Sequence, residues 1–230
     1  RTLDLAIEMG RGESGGAATV GPTAATAAAV SIGDPERALR AAALVTIDDL
    51  DPSVVGEGDR LVALGLALLQ LDRLYDALVH LRQAATPSLE ERPSGYALSA
   101  LACAHALAGD VEAAAALCEE VVAADRATYL DRITALLALG AARTGSCAPD
   151  AARAAFDQAE AIADGTDDRV AQALVRLARA EAGEAVGRPD PDRRSTATSR
   201  LAELGIDAAG WRRVYREVAL AAGAATAGAT

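Results

Sequence analysis

The chain contains no lysine, and aromatic residues make up only 3% of its 230 residues, with one Phe and one Trp. The core must therefore be built from Ala, Leu and Val, within an apolar share of 51%. Ala is the strongest helix former, and Leu and Arg follow closely. This composition predicts an all-α fold of closely packed helices and disfavours a sheet.

A basic surface and long apolar runs are missing as well. The formal net charge of −11 argues against nucleic-acid binding by this segment, because such binding needs a basic footprint. No run of about 18 apolar residues is free of charge and glycine, so we expect no membrane span. Arg1 begins directly in an acidic amphipathic segment, so we expect no signal peptide. The cysteine usage described below indicates a reducing, cytoplasmic location. Because the chain begins at Arg1 and not at Met, we expect it to be a piece of a longer protein.

Cysteine and histidine are too sparse to indicate a metal or catalytic site. Cys103, Cys118 and Cys147 are odd in number and lack CxxC or His-partnered spacing. Cys103 and Cys118 fall on apolar helix faces, where we expect buried thiols in a reducing compartment. His80 and His105 fall on separate helices without Asp or Cys at catalytic spacing. We therefore expect no metal, no cofactor, no catalytic residue and no enzymatic activity.

Three short patterns resemble functional motifs but are better interpreted as loops or solvated surfaces. Residues 10–15 read G-x-G-x-x-G, but no βαβ unit follows, so we expect an inter-helix loop. Residues 48–51 hold three carboxylates without the spacing of a calcium loop. Residues 195–199 hold four hydroxyls beside Arg193, Arg194 and Arg200. These arginines suggest a phosphorylation site, but a solvated helix surface is the stronger interpretation.

The clearest positive signal is a repeated helical pair. In residues 61–84, two apolar stripes at helical spacing flank a polar break at residues 71–73. The alanines at the centres of successive second helices are separated by 39, 37 and 38 residues: Ala38, Ala77, Ala114 and Ala152. A nearly fixed period with a helix–turn–helix unit is the signature of an α-solenoid.

In these units the chain resembles the tetratricopeptide repeat family. The family's small first-helix residue matches Gly65, Ala102 and Gly140, each preceded by Leu. Its second-helix Ala and the large position that follows match Ala77 with Leu81, Ala114 with Cys118, and Ala152 with Phe156. The opening Trp and the Tyr of the family motif are absent, and the period exceeds the usual length of about 34 residues.

The resemblance implies a right-handed superhelix of antiparallel helix pairs. Long, Ala- and Leu-rich repeats of this kind are similar to those of large bacterial ATP-dependent transcription activators of the maltose-activator type, which implies a role in transcription regulation and signal transduction. We expect repeats over residues 1–186, with pairs near 20–46, 59–85, 95–124 and 128–163 and half a pair at 167–186. Residues 187–230 are expected to form less regular helices that act as a cap, the last over 211–222, followed by a frayed tail.

The resemblance also implies a binding site, because such superhelices bind ligands on a concave face lined by the first helix of each pair. By register, this inner face presents a mostly apolar set of residues: Val62, Leu66, Leu69, Tyr96, Ser99, Cys103, Thr134 and Leu137. An apolar groove suits the amphipathic helix of a protein or peptide partner, or else a small effector. Two alternatives stay open. The 211–222 helix could fill the groove or cover the last repeat, and the chain could be a structural or oligomerising arm of a larger ATPase or enzyme without a ligand of its own.

Overall fold

The computed structural model describes residues 29–30, 33–43, 57–86 and 94–228. In these ranges the chain forms ten α-helices and no strand, which confirms the predicted all-α fold. The helices are α1 Pro35–Ala42, α2 Glu57–Gln70, α3 Leu74–Ala84, α4 Gly95–Leu107, α5 Val111–Ala123, α6 Tyr129–Gly145, α7 Pro149–Asp164, α8 Arg169–Ala185, α9 Pro191–Glu203 and α10 Ala209–Gly228. The glycine motif at residues 10–15 and the acidic stretch at 48–51 lie outside the described residues. Among the described helices, none combines the length and apolarity that crossing a bilayer requires.

Side-chain caps fix where many of the helices begin. A carboxylate or hydroxyl at the N-cap accepts a hydrogen bond from a backbone N–H of the first turn, which satisfies a donor that the helix leaves unpaired. The capping residues are Asp34, Ser94, Asp110, Thr128, Asp168 and Asp190. At α6 the cap is reciprocal, because the Asp131 side chain also accepts from the Thr128 N–H.

One turn geometry recurs where paired helices meet. In each such turn a residue with positive φ ends the preceding helix: Gly33, Asp72, Gly109, Cys147 and Gly187. The next residue donates its N–H back to a carbonyl five positions earlier, as from Asp110 to His105 at 3.0 Å and from Ala148 to Arg143 at 3.0 Å. This is the Schellman arrangement of a helix C-terminus. These five turn residues are 39, 37, 38 and 40 positions apart, so the period seen in the alanines is also present in the backbone. A sixth turn of the same geometry, at Gly205, ends α9 only 18 positions after Gly187 and lies outside this period.

Glycines at the helix crossings let the paired helices approach closely. A Cβ on Gly65 would lie 2.4 Å from the Leu81 side chain, and one on Gly140 would lie 2.9 Å from Phe156. Both distances are well inside van der Waals contact. These are the two pairs of small and large positions that the repeat pattern aligns, so α2 packs on α3 and α6 on α7 at the expected residues.

The first helices of successive pairs also pack on one another. Contacts run from α2 to α4, from α4 to α6 and from α6 to α8, while α10 packs against all four of these helices. One large core cluster joins α2 through α8 with α10, and a smaller cluster joins α8, α9 and residues 206–208. Helix α10 extends to Gly228, beyond the predicted end at residue 222, because an alanine-rich sequence propagates a helix even where it is exposed.

Candidate functional site

The predicted inner face is buried in this structure. Its residues lie on α2, α4 and α6, and six of the eight are buried: Val62, Leu66, Leu69, Ser99, Cys103 and Leu137. Tyr96 and Thr134 are half-buried. Burial raises the pKa of Tyr96 to about 12, and the nearby carboxylates of Asp59 and Asp131 add to the rise. The face is therefore apolar, as the register predicts, but it is not an open groove.

Helix α10 packs along one side of these helices through a stripe of apolar residues. Its buried side chains recur at helical spacing and are Val214, Tyr215, Val218, Ala219 and Ala222. Tyr215 lies beside Cys103 of α4, and its pKa is raised, first by burial and then by the Cys103 thiol. The predicted helix over 211–222 therefore packs against α2, α4, α6 and α8 together and not against α8 alone.

Small residues bring the backbone of α10 against the ends of these helices. A Cβ on Gly145, the last residue of α6, would lie 1.8 Å from the Ala219 carbonyl oxygen. A Cβ on Gly210 would lie 3.0 Å from the Gln70 side chain at the end of α2. A side chain at Gly145 would meet the α10 backbone and separate the two helices, whereas one at Gly210 would require only a shift of the Gln70 side chain.

Two polar contacts hold the beginning of α10. The Arg212 Nε donates to Glu181 Oε1 of α8 at 2.7 Å, and this carboxylate is only 1% exposed. The Arg213 guanidinium donates to the Gln70 carbonyl of α2 at 3.1 Å. A buried carboxylate needs such a partner, because an unpaired charge in the interior is strongly unfavourable. Both contacts bind α10 to helices far apart in the sequence.

The loop before α10 also contacts the first described turn. A Cβ on Gly33 would lie 1.9 Å from the Asp207 carbonyl oxygen. The Gln70 amide donates to the Val30 carbonyl at 3.4 Å. The start of the described chain and the entry to α10 therefore meet near the end of α2.

The thiols and imidazoles form no recognisable reactive centre among the described residues. Cys103 and Cys118 are buried as predicted, and burial raises the pKa of each thiol to about 12, while Cys147 is exposed in the α6–α7 turn. His105 Nδ1 lies 3.4 Å from Asp110 Oδ2, next to the α5 cap. Across the described ranges, no three His, Cys, Asp or Glu side chains form a group that could hold a metal ion.

Comparison of the chain with protein-family models, curated proteins and solved structures finds no match.

Proposed function

We propose that this chain is a non-catalytic interaction module of a larger cytoplasmic bacterial regulator, built as a tetratricopeptide-like superhelix with a helix-binding inner face. The packing of α10 across α2, α4, α6 and α8 carries this proposal. An amphipathic helix of the chain itself lies against this side of the four helices, which supports a face suited to helix binding. The five turns of one geometry, at intervals of 37 to 40 residues, support the superhelix.

The chemistry of the α10 contact indicates what kind of partner would bind. Helix-in-groove recognition uses apolar anchors at helical spacing, and α10 supplies them as Val214, Tyr215 and Val218. We infer that a partner helix takes the place of α10 on this side of α2, α4, α6 and α8, where Tyr215 lies beside the inner-face residue Cys103. We expect such a partner to carry an aromatic anchor flanked by β-branched residues and small residues one turn later. A small effector would shift the equilibrium between α10 bound to these helices and α10 released from them.

The second candidate is a structural arm in which α10 is a permanent part of the core. The backbone contact between Gly145 and Ala219 and the buried Glu181–Arg212 pair favour it. In this case the module binds nothing on the inner face and acts through its position in the larger protein. The two candidates differ in one measurable quantity, the free energy needed to release α10 from an otherwise folded array.

Hydrogen–deuterium exchange of the full chain distinguishes the candidates. The interaction module predicts that amides of residues 213–222 exchange through local opening, at least about tenfold faster than those of α6. The structural arm predicts that both segments exchange together, through global unfolding. Exchange of α10 at the rate of α6 would therefore contradict the interaction proposal.

A competing peptide tests the same proposal directly. A labelled peptide of residues 209–224 is added to the full chain, and its binding is measured by fluorescence anisotropy. We expect saturable binding that speeds the exchange of the chain's own α10. The control peptide carries Tyr215→Glu and Val218→Glu, which places two charges on the apolar stripe, and should not bind. Equal binding of the two peptides would show that the contact is not recognition of the stripe.

A further inference from the structure

A cleft of about 460 Å³ lies between α8 and α9, outside the α10 contact. Its volume is within the range of small-ligand sites, roughly 300 to 1,000 Å³. Buried Ala173 and Ala197 lie between two polar walls. The α8 wall consists of Arg169, Gln172 and Arg176, and the α9 wall consists of Ser195, Thr196, Ser199, Arg200 and Glu203.

Three arginines line the cleft of a chain that is strongly acidic overall. Three guanidinium groups line it against one carboxylate, that of Glu203, which pairs with Arg200 at 2.5 Å. Arg176 lies 3.8 Å from both Glu160 and Asp164, too far for a hydrogen bond. The Arg169 side chain makes no hydrogen bond or ion pair with any other described residue. At least two of the three arginines therefore have donors free to bind an anion.

The neighbouring polar groups that could compete for these arginines are already occupied. The Asp168 carboxylate accepts from the N–H groups of residues 170 and 171 and from the Tyr129 hydroxyl. The Gln172 amide donates to the Thr166 carbonyl at 3.0 Å. These bonds hold the first turn of α8, and neither side chain is hydrogen-bonded to the Arg169 guanidinium.

The hydroxyls of the α9 wall are also unpaired within the described chain. Helical hydroxyls elsewhere bond back to a carbonyl four residues earlier, as Thr144 does to Gly140 at 2.8 Å and Thr226 to Ala222 at 2.7 Å. Ser195, Thr196 and Ser199 make no such bond with a described residue. Ser195 and Ser199 are one helical turn apart, so their hydroxyls form a row of donors and acceptors along α9.

We propose that this cleft binds a small phosphorylated sugar or polyol. Guanidinium groups match the planar, paired hydrogen bonding of phosphate oxygens, and Arg169, Arg176 and Arg200 supply three of them. The hydroxyls of Ser195, Thr196 and Ser199 bind the hydroxyls of the same ligand. No aromatic side chain lines the cleft, so a base has nothing to stack on, which disfavours a nucleotide.

Isothermal titration of the full chain with glucose 6-phosphate and inorganic pyrophosphate tests this site, with glucose as the uncharged probe. We expect glucose 6-phosphate to bind with a Kd of about 1 mM or tighter, pyrophosphate to bind more weakly, and glucose not to bind. The double variant Arg169→Gln with Arg176→Gln removes the two arginines whose donors are free and should weaken phosphate binding by at least about tenfold. The control is Arg216→Gln, which removes a charge from an exposed arginine of α10 and should leave binding unchanged.

The hydroxyl row is tested separately with Ser195→Ala and Ser199→Ala together. This variant should weaken glucose 6-phosphate more than pyrophosphate, because only the sugar phosphate carries hydroxyls. Since Ser195 and Ser199 are exposed, circular dichroism should show an unchanged fold. No binding of either phosphate, or equal loss in the Arg216→Gln control, would overturn the proposal. Equal affinity for both phosphates would overturn its sugar specificity.

Discussion

Single glycines decide how closely α10 can pack against its neighbouring helices. At Gly145 the α10 backbone is so close that an added Cβ would lie 1.8 Å from the Ala219 carbonyl oxygen. Backbone atoms cannot move aside as a flexible side chain can, so any larger residue must push the whole helix outward. A dense core transmits such a shift to its neighbours. The absence of a side chain at Gly145 therefore determines how closely α10 can pack against α6.

The variant Gly145→Ala should therefore lower the free energy of unfolding by about 1 to 3 kcal/mol or more, the usual cost of overpacking. Urea denaturation measures the change. Gly58→Ala is the matched control, because a Cβ on Gly58 of α2 has no atom within 4 Å and a helical alanine is more favourable than glycine. An equal change in both variants would mean that the α6–α10 approach is not tight in solution.

At the scale of helices, the repeated turns differ mainly in their caps. The Asp110 side chain accepts from the Ala113 N–H at 3.2 Å, and Asp34 makes the same bond at the start of α1. Ala148 occupies the corresponding position before α7 with no side-chain cap. Its backbone, with φ −108° and ψ 67°, is nearly that of Asp34, with φ −108° and ψ 74°. The turn before α7 is therefore shaped for a cap that its sequence does not supply.

The substitution Ala148→Asp should stabilise the chain by about 0.5 to 1.5 kcal/mol, since the new carboxylate can accept from the first turn of α7 and complement its dipole. The reciprocal variant Asp110→Ala should destabilise the chain by a similar amount. Thermal denaturation of both proteins beside the unmodified chain measures the two changes. A loss of stability in Ala148→Asp would contradict the shared turn geometry.

Local sequence signals account for most of this helical framework. The apolar stripes and turn residues place the pairs near 95–124 and 128–163, and the helices run over Gly95–Ala123 and Tyr129–Asp164. These features depend on neighbours within about one helical turn, which the sequence displays directly. The apolar character of the inner face is predictable for the same reason.

The position of α10 and the lining of the cleft both depend on contacts between residues that are far apart in the sequence. Arg213 binds the Gln70 carbonyl across 143 positions in the sequence, and no local pattern specifies that α10 packs there. The stripe from Trp211 to Val218 predicts only that α10 buries one face somewhere. In the cleft, the hydroxyls and Arg200 are visible as a cluster, but Arg169 and Arg176 come from another helix and have no spacing that links them to it.

For the whole molecule, the absence of lysine leaves cysteine and tyrosine as the side chains that determine how the free energy of unfolding changes at high pH. Between about pH 9 and pH 12, only cysteine and tyrosine side chains titrate in this chain, because arginine ionises higher. The pKa values of Cys103, Cys118 and Tyr96 are each raised to about 12 by burial. The unfolded chain therefore releases these protons first, so the folded state binds more protons above about pH 9 and its stability falls as pH rises.

Unfolding by urea from about pH 8 to about pH 11 should show full stability below about pH 9 and a growing loss above it, approaching on the order of 1 kcal/mol per group and pH unit. The Tyr96→Phe variant removes one of the buried groups and should lose less between about pH 10 and pH 11 than the unmodified chain. A free energy of unfolding that stays constant to about pH 11 would mean that these groups reach solvent in the folded state.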